Sequence, residues 1–167
     1  MLLLGIDLGT SSIKVSVIDA QTNKKIASTQ YPETEAAILS EQPGWAEQDP
    51  ASWWNYTKSA ILKLNGLGLY NPKNIGAIGI AYQMHGLVVV DKDYKPLRNS
   101  IIWCDSRAVE IGNAAFAQLN PPAFLDAHLN SPGNFTASKL AWVKQNEPAT
   151  YEQVHKFMLP GDYLSMC

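Results

Sequence analysis

Leu2 to Asp7 is an apolar run that ends in a carboxylate and is halted by Gly9-Thr10, which predicts a buried strand. Ile13, Val15 and Val17 then alternate with Ser12, Lys14 and Ser16, a period of two that predicts a second, half-buried strand. Asp19-Ala20-Gln21-Thr22-Asn23 supplies turn residues, and Lys25 to Tyr31 predicts a returning third strand before Pro32. The opening of the chain reads as an antiparallel meander.

Helical periodicity takes over after the Pro43-Gly44 loop. Asp49 is placed to cap and Pro50 to occupy the first helical position, where its missing N–H does no harm. Trp53, Trp54, Thr57, Ala60, Ile61 and Leu64 recur at helical spacing, and Gly66 marks the stop. The run Ile75 to Tyr82 is apolar throughout, which predicts a central strand covered on both faces. Gln83-Met84-His85-Gly86 interrupts it before Leu87 to Val90 resumes as strand into the turn Asp91-Lys92-Asp93. Ile101-Ile102-Trp103 predicts a short strand, followed by a helix with Ala108, Ile111, Ala115 and Leu119 on one stripe. Thr136 is placed to cap a helix carrying Leu140, Trp142 and Val143 and closed by Pro148. Phe157-Met158-Leu159 and Pro160 to Leu164 predict a last strand and the start of a last helix.

A meander followed by alternating strands and helices predicts an α/β fold with a mixed sheet flanked by helices. Ligands of such sheets sit beyond the carboxyl ends of the strands. Three polar interruptions fall there: Asp7 to Ser12, Gln83 to Gly86, and Cys104 to Arg107.

Composition narrows the partners. The 167 residues are 46% hydrophobic, enough for a sizeable core in about one domain. Thirteen basic against fifteen acidic side chains give a formal net charge of −2. Nucleic-acid grooves and polybasic membrane surfaces need a marked Lys/Arg excess, so neither partner is expected. Cys104 and Cys167 lie far apart with no C-x-x-C or His-flanked arrangement, which disfavours a disulfide framework and a zinc site. The N-terminus lacks a basic region ahead of its apolar run, and no apolar stretch approaches the ~20 residues a bilayer span needs. The expected compartment is a reducing cytoplasm.

Asp7-Leu8-Gly9-Thr10-Ser11-Ser12-Ile13-Lys14 ends a strand in a carboxylate, turns at a glycine, and offers three hydroxyls and an ammonium. Backbone N–H groups in a Gly turn, hydroxyls and a lysine are suitable donors for phosphate oxygens. A carboxylate beside phosphate implies an intervening cation, and Mg²⁺ is commonly held by one or two carboxylates, waters and substrate phosphates. A plain Gly-Thr hairpin with edge-facing serines explains the same spacing, and the G-x-x-x-x-G-K-[ST] order is absent. In Gln83-Met84-His85-Gly86, amide and imidazole could hydrogen-bond a polyhydroxylated ligand while Gly86 lets it approach the main chain. A bulge with a satisfied histidine and a core methionine is the competing reading. In Trp103-Cys104-Asp105-Ser106-Arg107, Asp105 and Arg107 could bind hydroxyls, or Asp105 and Ser106 could cap the next helix. Trp45 to Trp54 reads as packing and capping, and His128 and His155 as solvated.

Together these segments resemble a known family. Gly5 to Lys14 resembles the opening phosphate loop of the FGGY carbohydrate kinase family. Trp45-Ala46-Glu47-Gln48-Asp49-Pro50, Gln83-Met84-His85-Gly86, Trp103 to Arg107, Asn134 to Val143, Asn146-Glu147-Pro148 and Leu159 to Leu164 are similar to its members that act on D-xylulose.

The resemblance implies an actin-like ATPase (RNase H-type) domain with a mixed five-stranded sheet flanked by helices. It also implies ATP- and Mg²⁺-dependent phosphorylation of D-xylulose to D-xylulose 5-phosphate. Asp7, Thr10, Ser11, Ser12 and Lys14 would face phosphates and metal, with Asp7 the metal ligand. Gln83, Met84, His85 and Asp105 would line the sugar. The family's general base and most of its adenine site belong to a second domain, so residues 1–167 read as a truncated N-terminal domain. Ser138 and Gly161 replace a common proline and lysine, which should affect local backbone more than chemistry. Another family sugar (gluconate, L-ribulose or L-fuculose) and a non-catalytic sugar- or nucleotide-binding domain remain open, as does a homodimer.

Overall fold

The computed structural model describes residues 1–119 and 121–167, which group into two compact units. The first comprises residues 1–37, 51–83 and 161–167, and the second residues 38–50 and 84–160.

In the first unit, β1 (Leu2–Leu8), β2 (Ile13–Asp19) and β3 (Lys25–Tyr31) form the expected meander. β1 and β2 pair antiparallel from Leu2↔Asp19 to Leu8↔Ile13, which sets Asp7 opposite Lys14. After the crossover helix α1 (Pro50–Gly66), β5 (Ile75–Tyr82) returns parallel to β1, giving a four-stranded mixed sheet in the order β3-β2-β1-β5. Leu4, Ile6, Leu8, Ile13, Val15 and Val17 are buried, as the alternation requires. α1 (Pro50–Gly66) buries Trp53, Thr57, Ala60 and Leu64 at i, i+4, i+7 and i+11, a single stripe of the predicted helix. The Tyr56 ring of α1 lies 5.5 Å from the Tyr31 ring of β3.

Two expectations fail in this unit. The main sheet has four strands rather than five, because the later apolar runs pair in the second unit instead, Val88–Val90 with Lys156–Met158 and Ser100–Ile101 with Glu47–Gln48. β5 is also not covered on both faces. It bonds β1 along one side only, and its residues are exposed or half-buried throughout, with Ile78 61% exposed. Continuous hydrophobicity does not distinguish a covered strand from an uncovered one.

The second unit contains two short antiparallel pairs. β4 (Glu47–Gln48) pairs with β7 (Ser100–Ile101), and β6 (Val88–Val90) with β8 (Lys156–Met158). Leu87, Val89, Ile101 and Val143 form its core, flanked by Leu97, Leu140, Trp142, Tyr151 and Val154. The helices are α2 (Val109–Gln118), α3 (Pro121–His128), α4 (Thr136–Asn146) and α5 (Pro148–Tyr151); α6 (Pro160–Met166) falls almost wholly in the first unit.

The buried side of α2 differs in part from the expected stripe: Ala108 is buried as expected, but Ala115 and Leu119 are exposed and the buried residue within the helix is Gly112. Gly112 meets the Pro132–Asn134 turn, where any Cβ would collide with the backbone of Gly133. Close backbone approach therefore chose the face, and no hydropathy pattern marks a glycine contact. Thr136 lies inside α4, whose cap residue is Phe135. The Thr136 hydroxyl donates instead to the Gly86 carbonyl at 3.3 Å.

Candidate functional site

The candidate phosphate loop belongs to the first unit. The Gly9 N–H donates to Ser12 O at 3.2 Å, closing a tight turn between β1 and β2. A Cβ on residue 9 would lie 2.9 Å from that same oxygen, so the turn requires glycine. Thr10 Oγ1 donates to Gln83 Oε1 at 3.1 Å, and the Gln83 N–H donates to Leu8 O at 2.9 Å. These bonds join the turn to the end of β5. Gln83, assigned to the sugar by resemblance, is thus a buried partner of the phosphate turn. Ser11 is exposed and its carbonyl accepts from Ala36 N at 2.7 Å, whereas Ser12 is buried. Both serines and Lys14 line a groove of about 260 Å³ with Gln30, Thr34 and Glu35.

Asp7 and Lys14 also line a second, larger depression of about 560 Å³ on the sheet face, with Gly5, Ser16, Gly79 and Ala81. Asp7 is exposed, and among the described residues none pairs with its carboxylate. A free carboxylate, neighbouring hydroxyls and a facing lysine suit a hydrated Mg²⁺ with polyphosphate. Among the described residues no three His, Cys, Asp or Glu side chains cluster as a metal cage. The donor set fits an ion completed by phosphates and water, as Mg²⁺ usually is.

The candidate sugar loop belongs to the second unit. Met84 is 61% exposed, so it is not a core methionine. His85 holds φ at +59°, in the left-handed region that a non-glycine residue rarely adopts. Its ring stacks on Phe135, with centroids 4.9 Å apart and planes inclined by 17°. Burial, and then the charge of Lys139, hold the His85 imidazole below its ordinary pKa. Gly86 does not open the main chain to a ligand as its type suggested, because the Pro160 ring fills the space a Cβ would take.

Asp105 is only 2% exposed. One oxygen accepts from Ala46 N at 2.6 Å and from Arg107 Nη2 at 2.7 Å, and the other from Arg107 N at 2.9 Å. Its carboxylate therefore ties the Arg107 backbone and guanidinium to Ala46 and does not face open space; nor does it cap α2, whose cap residue is Ala108 with no side-chain cap bond. Arg107 lies 3.7 Å from the Trp45 ring centroid and reaches Glu47 Oε1 at 2.7 Å. Arg98 also meets Glu47, and it bonds Glu147 at 2.6 Å, completing a largely buried network of two guanidiniums and three carboxylates.

Sequence reasoning missed Lys139. Its side chain is fully buried, and Nζ donates to His85 O at 2.8 Å, Asn134 O at 2.9 Å and Asn134 Oδ1 at 2.9 Å. Asn134 in turn donates through Nδ2 to Trp103 O. Burial pulls the Lys139 ammonium down to about 8, partly countered by the Asp105 carboxylate. One signal was available: Lys139 stands four residues before the buried Val143, on the core stripe of α4.

The profile of the FGGY family of carbohydrate kinases, N-terminal domain, matches residues 2–167. The chain belongs to the FGGY family of carbohydrate kinases. This FGGY domain is 36% identical over 163 residues to a xylulose kinase of Escherichia coli K12, covering 98% of the chain and 32% of that relative. It is 39% identical over 170 residues to a xylulose kinase of Staphylococcus epidermidis, again covering 98% and 32%. The crystal structure of a xylulose kinase from Brucella ovis superposes with a TM-score of 0.88 at 35% identity, over 99% of the domain and 34% of that chain. The domain has the actin-like ATPase fold of these kinases and spans about a third of the length of the curated relatives it matches. Among its described residues no helix is long and apolar enough to cross a membrane.

Proposed function

We propose that residues 1–167 form the N-terminal domain of a kinase that transfers the γ-phosphoryl group of ATP to D-xylulose, giving D-xylulose 5-phosphate. The observation that carries this reading is the free Asp7 carboxylate beside the Gly9–Ser12 turn, in a chain similar to proteins named xylulose kinases.

Asp7 would hold Mg²⁺, directly or through water, with the exposed Ser11 hydroxyl and Lys14 available to phosphate oxygens and Thr10 holding the turn in place through Gln83. Bound there, the metal would neutralise charge on the phosphates. Lys14 adds a point charge on the same sheet face. Met84 and His85 offer an exposed thioether and an imidazole held neutral near pH 7, which can donate one hydrogen bond and accept another from a sugar hydroxyl. Asp105 is committed to Ala46 and Arg107, which assigns it to bracing the turn ahead of α2 rather than to the sugar. The general base and most of the adenine site lie in the remaining two thirds that similar kinases have. Phosphoryl transfer depends on positioning, so donor, acceptor and base must be assembled together.

The test is an ADP-release assay with Mg²⁺, ATP and a panel of D-xylulose, gluconate, L-ribulose and L-fuculose. It is run on the 167-residue chain and on the polypeptide extended to the relatives' length. Release with D-xylulose by the longer protein alone is expected. Release with another sugar in preference would reassign the substrate, and xylulose-dependent release by the short chain would overturn the division of labour.

A further inference from the structure

We propose that Lys139 is a positioning residue for sugar recognition: its buried ammonium fixes the left-handed backbone of His85 and so aims the imidazole. The inference rests on reading His85 as a sugar contact and adds a residue outside that loop.

His85 has a backbone conformation that costs free energy for any residue bearing a Cβ, and such strain persists only where surrounding structure over-determines it. Two contacts supply that constraint. The Phe135 ring holds the imidazole from one side. Lys139 Nζ holds the carbonyl of the same residue, 2.8 Å away, which sets the orientation of the peptide plane following His85. The remaining two N–H bonds of the ammonium go to the carbonyl and side-chain oxygens of Asn134, the residue before Phe135. One cation therefore ties together the two segments that place the ring and its stacking partner.

The stoichiometry is specific to the charged form. An ammonium has three donors for these three acceptors, whereas a neutral amine has two. Neutralising Lys139 must release at least one of the oxygens. Burial lowers the pKa of this group to about 8, which brings that event into an accessible pH range. The groups facing it are Asp105, Arg107, Cys104 and His85. Burial lowers the His85 pKa and raises that of the Cys104 thiol, which moves both transitions away from that of Lys139.

The test combines proton NMR of the 167-residue chain with D-xylulose titration from pH 6.5 to 9, using wild type, Lys139→Met and His85→Ala. In wild type, the His85–Phe135 ring contacts and the Gly86 amide should report one conformer at pH 7 and shift with a midpoint near 8. Xylulose affinity should fall about fivefold over that range, the scale of one neutral hydrogen bond. Lys139→Met should lose the ring contacts, bind xylulose at least about fivefold more weakly at pH 7, and show no break near pH 8. Intact ring contacts and a wild-type pH profile in Lys139→Met would overturn the proposal. Lost ring contacts in that variant, with His85→Ala binding xylulose as wild type does, would uphold Lys139 as the anchor of His85 while removing the sugar reading. Should Lys139→Met fail to fold, the wild-type Gly86 amide decides: no inflection near pH 8 overturns the proposal.

Discussion

Thr10 Oγ1 donates a 3.1 Å hydrogen bond to Gln83 Oε1, joining the candidate phosphate turn to the end of a strand 73 positions away in sequence. The pairing makes the turn's geometry depend on β5, which sequence spacing cannot convey. In a double-mutant cycle of Thr10→Val and Gln83→Leu, we expect a coupling of about 0.5–1.5 kcal/mol by urea denaturation. Additive effects would mean that the contact is incidental.

Asp7→Ala, made in the protein of full kinase length, should lower kcat severely while circular dichroism stays unchanged. The carboxylate is exposed and unpaired among the described residues, so folding loses little without it. Losing a metal-mediated contribution of several kcal/mol would slow transfer by two orders of magnitude or more. Nucleotide affinity should remain near normal, because a negative charge beside the phosphates has also gone. Raising Mg²⁺ should restore part of the rate. Near-wild-type kcat at low Mg²⁺ would make Asp7 a turn residue only.

His85→Ala should raise the apparent KM for D-xylulose and leave that for ATP within about twofold. A lost hydrogen bond costs about 0.5–1.5 kcal/mol, or roughly two- to tenfold in KM. The mutation also removes the stack on Phe135, so thermal unfolding should be measured alongside. An unchanged sugar KM would make the histidine structural.

Asp105→Ala should destabilise the protein by about 3 kcal/mol, near the cost of breaking a buried ion pair by removing one partner. It leaves the Arg107 guanidinium to Glu47 and strands the Ala46 N–H. Chemical denaturation measures the loss. A variant as stable as wild type, but with a large rise in sugar KM, would show that Asp105 touches the substrate after all.

Lys139 also predicts how stability varies with pH. Its folded-state pKa of about 8 lies below the ordinary lysine value of 10.5, so between these limits the unfolded chain holds a proton that the folded chain has released. Stability contributed by this group therefore rises with pH across that window, by about 3 kcal/mol at most. Comparing denaturation midpoints of wild type and Lys139→Met from pH 7.5 to 10.5 isolates the contribution. A constant difference between the two would show that Lys139 ionises normally.

Local pattern alone determined much of this protein. The meander, the register of apolar positions in β1 and β2, and the buried stripe of α1 follow from periods of 2 and 3.6, because each is set within a few residues of chain. The candidate phosphate loop was legible for the same reason, since its strand end, glycine and hydroxyls are contiguous. Tertiary structure decided what depends on distant neighbours. Continuous hydrophobicity in Ile75–Tyr82 predicted a covered strand, yet whether a face is covered depends on what packs there, and β5 is open. Gly112 took the packing face of α2 through its missing side chain, which hydropathy cannot register. Asp105 carries the same carboxylate whether it meets a sugar or Arg107, and only the fold brings to it the N–H of Ala46, 59 positions away. Lys139 makes the point most sharply: a charge on an apolar stripe marks an anomaly, but its meaning lies in oxygens of residues 85 and 134 that only folding brings to it.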